Sequence, residues 1–378
     1  MKKKILYLFI TAFVIISCKY SGDSQVSQTT LKDAFKDAFL FGVCMNGDQI
    51  RGTDTLGVKL IKEQFNSIVA ENYMKSKYLQ PTEGEFDFSL ADQFVEFGEE
   101  NNMYIVGHTL VWHSQAPEWF FIDKNGEEVS RDLLIERMRN HIHTVVGRYK
   151  GRIKGWDVVN EAMMDDGSYR QSNFYKIIGE DFIKLAFQFA QEADPDAKLH
   201  YNQYSLANPQ KREGVIKMIE KLQSKGVKID GIGMQTHLTL TYPTVSEFEK
   251  SLLAFSNLGL DIMISELDIT VLPAPNPTIG AEASDNYEYD PSLDPYPQGL
   301  PDSVAVVLND RLHDYFKLFA KHSDKITRVT VWGTDDGMSW RNYWPVQGRT
   351  DYAVLFDRDF HPKPIVKTII EEAKLSNN

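Results

Sequence analysis

Two glutamates stand out as residues that could do chemistry. Glu161 lies in the stretch 155–163 and Glu266 in the stretch 262–269, and each follows an apolar run typical of a buried strand. Glycoside hydrolysis uses two such carboxyls, one to protonate the leaving oxygen and one to attack the sugar or to activate water. Retaining enzymes hold the pair roughly 5 to 5.5 Å apart, and we predict that separation here.

Eight short apolar runs are typical of parallel strands buried on both faces, and amphipathic stretches of helical period lie between them. Asp54, Ser89 and the pair Asn208-Pro209 supply helix start signals. The predicted strands are 41–45, 67–70, 104–111, 153–159, 199–204, 231–234, 262–267 and 326–332, and the predicted helices include 90–100, 133–149, 174–193, 209–225, 245–258, 304–322 and 364–374. This alternation predicts an α/β fold, a (β/α)8 TIM barrel that forms a single catalytic domain over residues 31–378.

Such a barrel carries its functional side chains at the carboxyl ends of its strands. Buried polar groups are costly unless they are paired, so packing alone explains poorly why polar and aromatic residues follow seven of these strands. In strand order they are Glu71, Asn72 and Lys75; His108, Trp112 and His113; Asn160 and Glu161; Tyr201 and Asn202; Gln235 and His237; Glu266 and Asp268; and Trp332 and Trp340.

Six motifs, in this order, resemble those of glycoside hydrolase family 10, the endo-β-1,4-xylanases, over about residues 31 to 375. They are Glu-Asn-x-x-Lys from Glu71, His-Thr-Leu-Val-Trp-His from His108, Trp-Asp-Val-Val-Asn-Glu-Ala from Trp156, Gly-Met-Gln-x-His from Gly233, Ser-Glu-Leu-Asp from Ser265, and Trp-Gly at Trp332 followed by Ser-Trp-Arg from Ser339. The resemblance implies cleavage of internal xylosidic bonds in xylan or xylo-oligosaccharides, with retention of anomeric configuration and with no cofactor or metal.

By the same resemblance, Glu161 is the general acid/base and Glu266 the nucleophile of a double displacement. Sugars on the nonreducing side of the cleaved bond are expected to contact Glu71, Asn72, Lys75, His108, Trp112, Asn160, Gln235, His237, Trp332 and Trp340. Tyr201, at the end of the fifth predicted strand, is also expected to bind substrate.

The chemistry accounts for several of these residue types. Glu161 must be protonated near neutral pH, which requires burial or a neighbouring negative charge such as ionised Glu266. Asn160 can bind the sugar 2-hydroxyl, and His237 can orient Glu266 while Asp268 fixes the imidazole tautomer. Flat faces for sugars are expected at Trp112, Trp332 and Trp340, with their indole N–H groups free to hydrogen-bond, whereas Trp156 is expected in the core; no role is assigned to Trp119 or Trp344.

Three positions depart from the family pattern. Ser76 stands where the family usually has tryptophan, and Gln203 and Ser205 replace the usual aspartate and asparagine after the fifth strand. These departures bear on the strength and selectivity of the reducing-side subsites, whereas the two glutamates are untouched.

The N-terminus has the pattern of an export signal. Three lysines at positions 2 to 4 precede an apolar run over 5–16, which is shorter than the roughly 20 residues that span a bilayer. The sequence Ile15-Ile16-Ser17-Cys18 resembles a bacterial lipobox, so we expect a signal peptide over 1–17, lipid on Cys18 and a flexible tether over 18–30. The mature protein would then be exported and lipid-anchored to a bacterial membrane, facing the periplasm or the cell surface. An ordinary signal peptide is the alternative.

Charge and composition limit the kinds of partner that this protein is expected to bind. A net charge of -12 disfavours nucleic acid and anionic membrane surfaces as partners, so we expect membrane contact only through the lipid anchor. We also expect the protein to be a monomer. With Cys18 lipidated, Cys44 has no disulfide partner and is expected as a small buried residue. The proline-rich segment 272–301 is either a loop over the substrate trough or an insertion without consequence.

Three other functions fit parts of the pattern. A metal-dependent hydrolase would use His108, His113 and His237, but no acidic cluster with ligand spacing accompanies them. A β-1,4-glucanase acts on the same linkage on a sugar with one more hydroxymethyl group, which Glu71, Lys75 and Trp340 are expected to crowd. A binding protein without catalysis would not need a buried acid beside a nucleophile.

Overall fold

The computed structural model describes residues 29–275 and 286–376, and it confirms the predicted fold class. Eight parallel strands close into a barrel in chain order, with β1 paired to both β2 and β8. The strands are β1 Leu40–Met45, β2 Ser67–Ala70, β3 Tyr104–Trp112, β4 Gly155–Asn160, β5 Lys198–Tyr204, β6 Gly231–Thr239, β7 Asp261–Thr270 and β8 Ile326–Val331.

Helices follow the strands around the outside, with short additional helices in the connecting loops. Asp54 and Asn208 cap helices as predicted: the Asp54 carboxylate accepts from Gly57 N, and the Asn208 side chain accepts from Gln210 N. In the described part of the chain the helices are α1 Leu31–Ala34, α2 Gly47–Ile50, α3 Thr55–Gln64, α4 Ser76–Leu79, α5 Ser89–Glu100, α6 Arg131–Arg148, α7 Asn173–Ile178, α8 Asp181–Ala193, α9 Pro209–Ser224, α10 Val245–Ser256, α11 Asp302–Lys321 and α12 Pro364–Ser376.

Two predicted boundaries were wrong, each for a physical reason. β6 continues five residues beyond the apolar run, because polar residues after Met234 still pair with β7, His237 opposite Asp268 and Thr239 opposite Thr270. The stretch predicted as one helix over 174–193 is divided by Gly179, whose φ of 82° is a left-handed value that ends α7.

The proline-rich segment does not cover the trough in its described part. Asp294 is buried and accepts from Thr350 N at 2.9 Å, and Tyr352 Oη donates to the Tyr296 carbonyl at 2.8 Å. The described residues of 272–301 therefore dock on the loop after β8, and residues 276–285 lie outside the description. The predicted signal peptide, Cys18 and nearly all of the tether also lie outside the described residues. No helix within the described ranges is both long and apolar enough to cross a bilayer.

The ring order determines how the strand ends face one another. In a closed ring of eight strands β2 lies opposite β6, and β1 lies opposite β5. Glu161 directly follows β4, and Glu266 lies on β7. A line drawn across the barrel from β1 and β2 to β5 and β6 leaves β4 on one side and β7 on the other. A linear substrate laid along that line would pass between the two glutamates.

Candidate active site

One open trough of about 430 Å³ crosses the carboxyl ends of the strands, a size usual for ligand sites. It brings together nearly all of the predicted substrate-binding residues with both glutamates. The lining residues are Glu71, Asn72, Lys75, His108, Trp112, Gln115, Asn160, Glu161, Tyr204, Ser205, Gln235, His237, Thr239, Glu266, Trp332, Trp340, Arg341 and Trp344.

Glu161, directly after β4, has two side-chain donors. Gln235 Nε2 donates to Oε1 at 3.0 Å, and Trp112 Nε1 donates to Oε2 at 2.8 Å. Burial raises the pKa of Glu161 and the negative charge of Glu266 adds to it, although both hydrogen bonds oppose the shift. A carboxyl with a raised pKa is one that stays protonated to higher pH, as a general acid requires.

Glu266, on β7, is held from both sides. Asn202 Nδ2 donates to Oε1 at 2.7 Å, and His237 Nε2 lies 3.1 Å from Oε2. His237 Nδ1 in turn lies 2.8 Å from Asp268 Oδ2, while Arg341 Nε donates to Asp268 Oδ1 at 2.9 Å. The chain from Asp268 through His237 to Glu266 therefore has the predicted connectivity.

The protonation of His237 differs from the prediction. Burial by itself would lower the pKa of His237, but the carboxylates of Asp268 and Glu266 outweigh it and raise the pKa to about 9. Burial likewise opposes ionisation of Asp268, yet Arg341 and His237 lower its pKa to about 2. The raised pKa favours an imidazolium, which Asp268 stabilises, over the neutral tautomer that was predicted.

Three amides connect the two glutamates. Asn160 Oδ1 accepts from Asn202 Nδ2 at 2.9 Å and from Gln235 Nε2 at 3.0 Å. The same two donor groups contact Glu266 and Glu161. With its oxygen occupied twice, Asn160 presents its NH2 group as the part of the amide available to a sugar hydroxyl.

Both glutamates have backbone conformations that non-glycine residues seldom adopt. The φ angle is 59° at Glu161 and 56° at Glu266, and such left-handed residues cost roughly 1 to 3 kcal/mol each. At Glu161 the conformation is supported by Arg170, whose Nε donates to the Glu161 carbonyl at 3.0 Å. Strained residues of this kind concentrate at functional sites, which agrees with the predicted importance of the pair.

The β2 side of the trough is lined by a buried lysine and its partners. Lys75 Nζ donates to Asn72 Oδ1 at 3.1 Å and lies 4.9 Å from the centroid of the Trp112 ring. Burial lowers the pKa of Lys75 and raises that of Glu71, and each group opposes the shift of the other through its charge. These groups form a polar part of the trough.

The floor beside Lys75 contains His108. Its Nδ1 lies 2.9 Å from Asp157 Oδ2, and its ring meets the edge of Trp332 at a centroid distance of 5.6 Å. Burial favours the neutral form of Asp157, but its hydrogen bond with His108 and the nearby ring of His200, 3.7 Å away, lower its pKa. Below this floor Cys44 is buried among apolar side chains, as predicted.

Two indole N–H groups that were predicted to be free are engaged by carboxylates. Trp112 donates to Glu161, and Trp340 Nε1 donates to Asp268 Oδ2 at 2.7 Å. These indoles therefore position the carboxyl groups, and they can offer sugars only their ring surfaces. Trp156 is fully buried, as predicted, whereas Trp344 lines the trough and stacks on Trp340 with centroids 5.0 Å apart.

The prediction that Tyr201 binds substrate was wrong. Tyr201 is fully buried and does not line the trough. Its hydroxyl donates to Gln203 Oε1 at 2.6 Å and accepts from Ala162 N at 3.1 Å. Gln203 Oε1 also accepts from Met163 N at 3.2 Å. Tyr201 and Gln203 thus hold the backbone that follows Glu161.

Sequence reasoning assigned no site role to several residues that the fold brings to the trough or to its glutamates. Asn202 was predicted only as a polar residue at the end of the fifth strand, and the structure shows that its amide contacts both Asn160 and Glu266. Gln115, Arg341 and Trp344, which lie outside the strands, and Thr239, beyond the predicted end of β6, carry no comparable signal in the sequence.

The histidines of the alternative metal site are separated by their partners. His108 contacts Asp157, and His237 lies between Asp268 and Glu266. Within residues 29–275 and 286–376, one group of three His, Cys, Asp or Glu side chains brings its ligand atoms within 4.8 Å of one another, and it comprises Asp357, Asp359 and His361. None of these lines the trough.

The protonated His237 has a consequence for stability that can be measured. Because its folded pKa of about 9 exceeds the ordinary 6.5, its contribution is complete below about pH 6.5 and is lost as the pH rises through 9. By linkage the contribution is on the order of 3 kcal/mol. We expect His237→Gln to lower the free energy of unfolding in urea at pH 6 much more than at pH 10. An equal loss at both pH values would contradict an imidazolium.

A closed (β/α)8 barrel with two glutamates in one trough, one directly after β4 and one on β7, defines a glycoside hydrolase of the barrel class. The profile of Glycosyl hydrolase family 10 matches residues 30–372. The chain belongs to glycosyl hydrolase family 10.

Relatives and solved structures agree over nearly the whole chain. The chain is 50% identical over 345 residues to endo-1,4-beta-xylanase A of Xylanibacter ruminicola, covering 91% of this chain and 94% of that protein. It is 39% identical to an endo-1,4-beta-xylanase of Geobacillus stearothermophilus, covering 89% and 96%. The structure of a GH10 endoxylanase from a sugarcane soil metagenome superposes with a TM-score of 0.86 at 45% identity, covering 92% of this chain and 100% of that one.

Proposed function

We propose that this protein is an endo-1,4-β-xylanase that cleaves internal bonds of xylan with retention of anomeric configuration. The observation that carries the proposal is the pair of glutamates that line one trough, Glu161 after β4 and Glu266 on β7, in a family 10 chain. A trough whose lining comes from strands on both sides of the barrel can accept a polymer in mid-chain, as an endo-acting enzyme must. We also propose a functional monomer, which sedimentation of the purified protein would test.

In the first step Glu161 protonates the leaving glycosidic oxygen while Glu266 attacks the anomeric carbon. The bond to the leaving sugar breaks as the bond to the Glu266 carboxylate forms. The raised pKa of Glu161 supports its role as the acid, and the ties from Asn202 and His237 support Glu266 as an oriented nucleophile. Once Glu266 is esterified its negative charge is gone, which removes one cause of the raised pKa of Glu161.

In the second step ionised Glu161 takes a proton from water, which attacks the same carbon and releases Glu266. Two inversions give net retention. Asn160 supports both steps, because its NH2 group can donate to the sugar 2-hydroxyl, a contact that strengthens in the transition state. The predicted carboxyl separation of roughly 5 to 5.5 Å is the spacing that allows direct attack without an intervening water.

The choice of xylan over a glucan is supported by the β2 side of the trough. Glu71, Lys75 and Trp340 all line it, and Lys75 is anchored by Asn72 and by the face of Trp112. A glucosyl residue would bring an additional hydroxymethyl group into this crowded polar region. Discrimination by such a group is typically worth one to three kcal/mol, or roughly 10- to 200-fold.

Product analysis with xylan and with a soluble cellulose derivative tests the proposal directly. We expect xylo-oligosaccharides, whose new reducing ends are β-anomers in the first minutes by NMR. Release of oligosaccharides from the cellulose derivative alone would change the assigned substrate from xylan to a glucan. New reducing ends that are α-anomers would contradict retention. Tight binding to xylan without products would indicate a binding protein.

We propose further that the chain is exported and carries lipid on Cys18, which would tether the barrel to a bacterial membrane. The lysines at positions 2 to 4, the apolar run 5–16 and the lipobox-like sequence up to Cys18 support this. Mass spectrometry of the protein from membranes should show an N-terminal Cys18 bearing acyl chains. Cys18→Ser should release the protein into the soluble fraction, and a variant that stays in the membrane would contradict the proposal.

A further inference from the structure

Lys211 is a buried cation in an unfavourable place. It lies in the first turn of α9, where the helix dipole disfavours positive charge, and no acidic residue shares that turn. Its side chain is 0% exposed, and burial lowers its pKa to about 8. A lysine retained against both costs indicates that its contacts matter to the molecule.

Those contacts are with one aromatic ring and one carboxylate. Lys211 Nζ lies 3.4 Å from the centroid of the Tyr204 ring and 2.8 Å from Asp165 Oδ1. The contact with Asp165 is an ion pair without the alignment of a hydrogen bond. The ammonium is therefore placed over the electron-rich face of the tyrosine, where cation–π attraction is strong because water is excluded.

Lys211 lies behind this ring, seen from the substrate. Tyr204 lines the trough, whereas Lys211 is fully buried and does not line it. The edge of the ring is held too, because Arg170 Nη2 donates to the Tyr204 hydroxyl at 2.7 Å while Arg170 Nε donates to the Glu161 carbonyl. Tyr204 is 7% exposed, and its exposed part lies in the trough, where a sugar can contact it.

The loop that carries Asp165 is seated firmly on α9. Asn208 Nδ2 donates to the Asp165 carbonyl at 3.1 Å. Gly167 and Gly214 approach so closely that a Cβ added to Gly214 would lie 2.2 Å from the Gly167 carbonyl oxygen. The ion pair behind Tyr204 is thus assembled on two backbone segments in direct contact.

Tyr204 stands at the end of the trough where this chain departs from its family. It is the last residue of β5, across the ring from the β1 and β2 side that holds Lys75, which is the side expected to bind nonreducing-side sugars. Its neighbours Gln203 and Ser205 are two of the departures, and Gln203 is turned into the core. We propose that Lys211 is a positioning residue that holds the Tyr204 ring as the platform for the first sugar on the reducing side.

This inference rests on the proposed xylanase function. Two substrates distinguish a failure of the inference from a failure of that function. Xylotetraose places sugars on both sides of the cleaved bond, whereas β-xylobiosyl fluoride loses a single atom and leaves the reducing side empty. For Lys211→Met we expect kcat/KM on xylotetraose to fall about three- to thirtyfold, the range of a buried cation–π contact, mainly through KM. On the fluoride we expect no change, and Lys211→Arg should restore most of the loss.

The ratio of the two rates is insensitive to incomplete folding, because unfolded protein lowers both equally. Lys221→Met is the matched control, since Lys221 is exposed on the same helix and pairs with Glu180. If Lys211→Met yields no soluble protein, Asp165→Asn weakens the same anchor at a half-exposed carboxylate and should give a smaller selective loss on xylotetraose.

Three results would overturn the inference: equal losses on both substrates, no loss on either, or a shift of the alkaline limb of the xylotetraose pH profile, which would mean that Lys211 acts through the acidity of Glu161. A wild-type protein that hydrolyses neither substrate would instead overturn the xylanase function.

Discussion

Glu266→Ala is expected to abolish turnover of xylan, with kcat reduced by at least roughly four orders of magnitude, the scale seen when a covalent nucleophile is removed. Without this carboxylate the anomeric carbon has no partner with which to form the glycosyl-enzyme. Binding of xylohexaose, measured by calorimetry, should remain close to that of the wild type, because the sugar-contacting residues of the trough are intact.

The matched control is Glu220→Ala, which removes an exposed glutamate from α9 and should leave kcat and KM unchanged. The variant also offers a chemical test, since azide can occupy the space left by the carboxylate and restore turnover as an α-xylosyl azide. Residual xylan hydrolysis within tenfold of the wild type would remove Glu266 from the mechanism.

Glu161→Ala is expected to lower kcat/KM on xylan by about 10² to 10⁴, the usual contribution of general acid catalysis. Its effect should depend on the leaving group. The dinitrophenolate of a 2,4-dinitrophenyl xylobioside leaves without protonation, so formation of the glycosyl-enzyme should proceed at nearly the wild-type rate. Its hydrolysis should then become slow because no base activates water, and a burst of phenol followed by a slow steady state is the expected trace.

Azide again distinguishes the roles of the two glutamates. With Glu161→Ala it attacks the glycosyl-enzyme and should give a β-xylosyl azide, whereas Glu266→Ala should give the α-anomer. Two variants that form the same anomer, or a Glu161→Ala protein that is equally slow on xylan and on the activated xylobioside, would contradict the assignment of acid/base and nucleophile.

Much of the barrel was predictable because its signals are local. Apolar runs of four to eight residues that alternate with helical patterns predict buried strands, and caps such as Asp54 and Asn208 lie at the predicted helix starts. The errors arose where local signals conflicted with pairing. β6 extends through polar residues because the ladder to β7 continues, and Gly179 interrupts a pattern that is amphipathic on both sides.

The residue types of the site were predicted correctly, but some of the predicted contacts were wrong. The position of a residue on its strand indicates at which face of the barrel its side chain lies. This was enough to predict that Glu161, Glu266, Gln235 and His237 share one trough. It does not specify what a side chain touches. The indoles of Trp112 and Trp340 were expected to face sugar with free N–H groups, yet both donate to carboxylates.

The sequence by itself determined the order of strands and helices, the two glutamates and the family, because these depend on residue type and spacing. Only the tertiary structure decided the charge state of His237, the left-handed backbone at both glutamates, the burial of Tyr201 and the cation behind Tyr204. Each of these depends on atoms that are distant in the chain and a few ångströms apart in space. Electrostatic and packing energies vary with that separation, and no local pattern in the sequence encodes it.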